Sequence, residues 1–325
     1  MPNPAESATK KLADEMGSWK SIEFRLSEAF ENKDPDRKPS EPRTFRASYH
    51  YVESAVGQRL YENRLISDLN PETLVSIDYT DGSKCAFLYR RDKGDQLGQD
   101  QVTIKRWFGQ EKDGVTHRPE PLRYLYVGLK PLYEVLSKGT PDGEGRRLDR
   151  NCDRFLFRQV SAEKDPSVHL YWLDRDTGIT LRYEYFENQE KMSQGHPYYL
   201  WNAESIDTVD GHHLVRKSEL LMFKPNGPSP SQPVMHYQVS ADEVFFDRDY
   251  SATTFWPTIS KQTKVIDMVA NKIVIPRAEV SKTSSTADPI RAVDPVGWNS
   301  SYSLMGLLLA ATVVGVGLSL YRNKR

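Results

Sequence analysis

The sequence predicts a mainly β protein. A large curved antiparallel sheet or half-barrel carries helices at its start and centre, and one transmembrane helix ends the chain. Three observations predict this. Apolar and polar residues alternate with period two over many short runs separated by turn residues, the pattern of antiparallel strands with one buried face. Seventeen Tyr, twelve Phe and six Trp in 325 residues supply aromatic side chains that suit a half-buried pleated surface. A single long uncharged run lies near the end of the chain.

Taken in order, residues 4–17 form a short helix, with Leu12 and Met16 on one face at i, i+4 and Gly17 as its stop. Alternation then begins: Ile22, Phe24 and Leu26; Phe45, Ala47, Tyr49 and Tyr51; Val75, Ile77 and Tyr79. After the Asp81-Gly82 turn come Cys85, Phe87 and Tyr89, then Val102 and Ile104 leading to Trp107. In the middle, Leu122, Leu125, Leu129, Leu132 and Leu136 recur at helical spacing, so residues 120–137 read as helix, split in two at Pro131. Strands resume with Val168, Leu170 and Trp172, the turn Asp174–Gly178, and Ile179, Leu181, Tyr183 and Tyr185. Three more follow near 198–208, 213–224 and 234–246, the first two joined by Asp210-Gly211. The tally is about ten or eleven strands. The division is an N-terminal helix (1–18), a β domain (19–280), a linker (281–300), a membrane helix (301–321) and a basic tail (322–325).

The run from Leu304 to Tyr321 has eighteen positions and no charge. As a helix it spans roughly 27 Å, about the hydrocarbon thickness of a bilayer. Ala311, Gly315 and Ser319 form a small-residue stripe on which two such helices could pair. Arg322, Lys324 and Arg325 favour a cytoplasmic tail, and so place the domain outside the cytoplasm. The first sixteen residues hold no apolar signal core. The expectation is an export signal encoded upstream, the alternative a tail-anchored cytoplasmic domain.

Charge excludes one class of function. With 44 basic and 45 acidic residues the net charge is −1, so no basic face for nucleic acid is expected. Cys85 and Cys152 have no metal-ligand spacing, and the sequence leaves open whether they pair. Of seven His, only His212 and His213 are clustered. Adjacent strand residues face opposite ways, so they read as exposed turn residues rather than as ligands. Asp174-Arg-Asp-Thr-Gly178 reads as a hairpin turn, not a phosphorylation site. No hydrolase elbow, phosphate loop or zinc motif occurs. The expectation is a non-catalytic protein without a cofactor.

Aromatic residues on a concave sheet face, crossed by apolar helices, make a hollow for an apolar ligand. The candidate lining is Phe24, Tyr49, Phe87, Trp107, Trp172, Tyr183, Tyr185 and Phe246 from the sheet, with Leu125 and Leu129 from the helix. The competing expectation is a filled core in a structural or interaction protein.

The segment YWLDRDTGITLRYEYFEN (171–188) resembles the strand–turn–strand hairpin of LolA-like bacterial lipoprotein carriers. IDTVDGHHLVRKSELLMF (206–223) is similar to their next strand pair, and residues 239–267 to their closing element. The resemblance implies a half-barrel closed by helices, at work in the bacterial envelope, and a lipid or lipidated protein as partner.

Overall fold

Strand β1 (Ser21–Asn32) is the seam of the fold, pairing with β2 (Thr44–Ser54) on one side and β16 (Met235–Phe246) on the other. The computed structural model describes residues 4–54, 57–69, 73–81, 84–93, 96–97, 101–106, 122, 124–127, 130–161, 164–224, 232–257 and 264–274. All of them lie in one compact unit, Met1–Pro276. Helix α1 (Pro4–Ser18) precedes the seam.

From β2 a meander runs through β3 (Arg59–Ser67), β4 (Thr73–Thr80), β5 (Lys84–Lys93) and β7 (Gln101–Arg106), with the short β6 (Gln96–Leu97) beside β5. The ribbon of β8 (Tyr126–Val127) and β9 (Lys130–Pro131) and helix α2 (Leu132–Leu136) follow. A second meander runs through β10 (Thr140–Arg147), β11 (Arg150–Ser161), β12 (Lys164–Asp174) and β13 (Thr180–Phe186). Helix α3 (Gln189–Ser193) then leads to β14 (Tyr199–Val209), β15 (His212–Met222) and β16. The chain returns as β17 (Lys264–Asp267) and β18 (Lys272–Val274). Among the described residues sixteen strands make one open antiparallel sheet, ordered from β10 to β16, then β1 to β5, β7, β17 and β18. Its exception is β17, which lies parallel to β7.

Local chemistry sets the turns. Asp210 and Gly211, at φ of 52° and 87°, make the two-residue hairpin whose twist matches its strands. In the Asp174–Gly178 turn the buried Asp174 carboxylate accepts from the Thr177 hydroxyl at 2.6 Å and from Arg150 at 2.7 Å. Asp242 is an extra residue opposite Arg25 and Leu26, a bulge that bends the seam.

Both faces are largely covered. On the outer face, Val52, Leu60 and Phe255 pack with Tyr79 and Tyr250, while Trp256 and Val265 pack on Ala86, Leu88, Val102 and Ile104. Buried Glu23 holds this returning segment, accepting from the Tyr250 hydroxyl at 2.7 Å, with His50 at 2.8 Å. The inner face receives α1 and α2, which pack on β11 and on each other.

Three readings change. Within residues 120–137 Leu122 is helical and a second helix starts at Pro131 as expected, but that helix is only Leu132–Leu136, and the β8–β9 ribbon occupies the chain before it. The strands exceed the expected number, since β3, β6, β10 and β11 were not read as strands and the return segment adds β17 and β18 at the edge. Trp172 lies on the outer face, opposite Arg182 and packed with Leu170 and Phe186, because it alternates with the inward Tyr171. Cys85 and Cys152 are both buried thiols, not a bridge. Trp107, Leu129, the linker at 281–300 and the Leu304–Tyr321 run with Ala311, Gly315 and Ser319 lie outside the described residues. Among the described residues no helix is long and apolar enough to cross a membrane.

Candidate functional site

Directly opposed residues in a sheet share a face, so the pairing register traces what lines the inner side. One row crosses the second meander as Phe155, Tyr171, Tyr183, Trp201, Leu220 and Tyr237. Another crosses the seam as Val244, Phe24, Tyr51, Tyr61, Asp78 and Phe87. This aromatic surface is too apolar to face water, and a short stretch of the chain covers part of it. Leu122, Tyr124 and Leu125 are buried there. The Tyr124 ring stacks on Trp201, with centroids 4.1 Å apart, and lies 5.4 Å from Tyr183. The Thr180 hydroxyl donates to the Tyr124 carbonyl at 2.9 Å, and the Leu132 amide to the Leu125 carbonyl at 2.7 Å.

These residues act as a plug. Between them and the floor made by Phe24, Ile179, Trp201 and Phe246 only about 10 Å³ is left open, room for about one water at most. Trp201 is 1% exposed, and its indole N–H has no hydrogen-bond partner among the described residues, an omission that costs about 1–3 kcal/mol.

Of the predicted lining, Phe24, Phe246 and Leu125 meet at this plug, and Tyr183 flanks it. Tyr185 lies with His169, Tyr198 and Tyr199 on the same face. Tyr49 and Phe87 are farther along, Tyr49 against Tyr61 and Phe87 opposite Asp78. The sequence reading missed Tyr124, Trp201 and Ile179. Trp201 was within reach, since it sits in a predicted strand before a strong hairpin turn; Tyr124 was hidden inside a presumed helix.

Burial sets the electrostatics. The Tyr183 hydroxyl lies 2.9 Å from His169 Nδ1. Burial pulls the His169 imidazole down to about 4, so it is neutral and shares one hydrogen bond with this hydroxyl. Burial also raises the Tyr171 and Tyr183 hydroxyls, and lifts the Asp78 carboxyl to about 7. Among the described residues no cluster could hold a metal ion.

A second, open and polar hollow of about 390 Å³ lies between α1 and the β14–β15 turn, lined by Lys11, Glu15, Asp210 and His212. His212 is not an exposed turn residue. Its ring packs on Phe246, and its Nδ1 lies 3.2 Å from Glu15 and its Nε2 3.6 Å from Asp247.

No protein-family profile matches the chain, and no curated protein matches it. Similar solved structures include a DUF1329 family protein from Desulfovibrio piger, at 11% identity and a TM-score of 0.43, covering 78% of this chain and 97% of that one. A LolA superfamily protein from Nitrosomonas europaea is similar at 9% identity and 0.41, with the same coverage. Lipoprotein LppX from Mycobacterium tuberculosis is similar at 8% and 0.29, covering 77% and 99%. Likeness at this level carries no argument about function.

Proposed function

We propose that the domain binds the apolar chain of a lipid or of a lipidated protein on its inner face, where the plug now sits, and that it does so without catalysis. One observation carries this reading. Among the described residues the aromatic floor around Phe24, Trp201 and Phe246 is sealed by three side chains of one short stretch, Leu122, Tyr124 and Leu125. Apolar surface is stabilised by about 25 cal/mol per Å² removed from water, whether a plug or a ligand removes it, so the two can exchange.

The full chain, titrated with a fluorescent fatty-acyl probe, should show saturable uptake that unlabelled acyl lipid competes away. A well-folded protein that takes up no probe would sink the proposal. One observation favours a second reading, a packed interaction protein without a ligand: the plugged cavity keeps only about 10 Å³.

The setting belongs to the same proposal. Leu304–Tyr321 anchors the chain in a membrane, with Arg322, Lys324 and Arg325 on the cytoplasmic side and the domain on the other.

A further inference from the structure

We infer that Thr180 and Trp201 form a donor pair that selects an acyl chain by its uncharged ester or amide carbonyl. The inference rests on the lipid-binding reading above and specifies what that site prefers.

The plug itself shows the chemistry that the floor accepts. Leu122 and Leu125 supply apolar bulk, and the Tyr124 carbonyl supplies an acceptor for the Thr180 hydroxyl at 2.9 Å. When the plug leaves, that hydroxyl loses its acceptor. The Trp201 N–H has none among the described residues even with the plug in place, though the residue is 1% exposed. Two donors then line one apolar hollow, and a buried donor left unpaired is costly. A bound chain must therefore bring acceptors. An indole N–H only donates, so an ammonium headgroup gains nothing from Trp201. Among the described residues no Lys or Arg lines the cavity, and His213 is the one titratable side chain there apart from Tyr124. A buried carboxylate would find no fixed cation among them. What fits is an uncharged carbonyl next to a hydrocarbon chain.

The test compares a pyrene-labelled lipid whose chains are ester-linked with its ether-linked analogue of equal length. The ether keeps the hydrocarbon and loses the carbonyl. The full-length protein should bind the ester about tenfold more tightly, the worth of one or two buried hydrogen bonds. Trp201→Phe should cut that preference, the ratio of ester to ether affinity, severalfold. Thr180→Val, which keeps the side-chain shape, should do the same and serves if Trp201→Phe does not fold. Equal binding of both lipids by the unaltered protein, or an unchanged ester preference in a folded variant, overturns the donor pair and leaves lipid binding standing. Binding of neither lipid overturns both.

Discussion

Gly178 packs directly on the backbone of Ala8. It sits at φ +78°, and a Cβ placed there would stand 2.7 Å from the Ala8 carbonyl oxygen. The turn that ends β12 is thereby fitted against α1, where Ala8 and Leu12 are fully buried. Gly178→Ala should cost about 2–4 kcal/mol, combining left-handed strain with overpacking. Gly211 is the control. It has a similar φ of +87° but open space around it, so Gly211→Ala should cost only about 1 kcal/mol. Thermal or urea unfolding checks the pair; equal losses would show that α1 does not bear on Gly178.

His169 should make the domain acid-sensitive. Its folded pKa is about 4, pulled down by burial from an ordinary 6.5. Between those values the unfolded chain binds the extra proton and the native state does not. Stability is therefore full above about pH 6.5 and falls as pH drops toward 4, by about 3 kcal/mol in all. His169→Gln keeps an acceptor for Tyr183 and should flatten that slope in urea unfolding measured from pH 7 to pH 4. A slope that survives the substitution would place it elsewhere.

Much of this fold was legible because its signals are local. The hairpins around Asp174–Gly178 and Asp210-Gly211 follow from period-two alternation and turn residues that tolerate positive φ. The segment from Leu122 to Leu136 was legible only in part, because helical spacing reports that one side is buried and not where the helix breaks. Leu122, Leu132 and Leu136 are helical, but Leu125 lies in a turn and the β8–β9 ribbon follows it. Half of the site was legible for the same reason. Alternation put Phe24 and Phe246 on one face of their strands, but nothing local says whether Tyr171 or Trp172 points inward. His212 was misread because its partners, Glu15 and Asp247, are distant in sequence.

Asp78 should act in the opposite pH direction from His169. It sits on the inner face between Tyr61 and Phe87, and burial raises its carboxyl from an ordinary 3.8 to about 7. The native state holds a proton there that the unfolded chain releases, so this group lowers stability as pH rises from about 4 to 7. Asp78 is partly exposed, and solvent screening reduces the effect to about 1–2 kcal/mol. Asp78→Asn should stabilise the domain at pH 8 and leave it unchanged at pH 3.5. Chemical denaturation at the two pH values decides; no gain at pH 8 would show a carboxyl already well solvated.

The proposed anchor rests on sequence and has its own test. Replacing Val313 and Val314 by Arg places two charges at the centre of the Leu304–Tyr321 run. Each costs on the order of 2.5–3.5 kcal/mol on insertion scales. The double variant should leave the membrane fraction on carbonate washing. Retention would assign membrane attachment to another part of the chain.

Plug and ligand should compete for one floor, and Leu125 tests this most directly. Its side chain is 6% exposed and meets Phe24 and Phe246. Leu125→Ala removes buried contacts worth about 2–5 kcal/mol of stability. In a merely packed core nothing else would follow. If the plug excludes ligand, part of that loss raises the population of the open state, and apparent affinity rises with the open fraction. A shift of about 1.4 kcal/mol toward opening would tighten binding about tenfold. Leu125→Ala should thus be less stable and bind a fluorescent acyl probe more tightly, opposite effects that general damage to the fold does not produce. Calorimetry and a probe titration on the same preparation measure both. Lower stability with unchanged or weaker uptake would mean that the segment from Leu122 to Leu125 belongs to the core and that a ligand, if one binds, enters elsewhere.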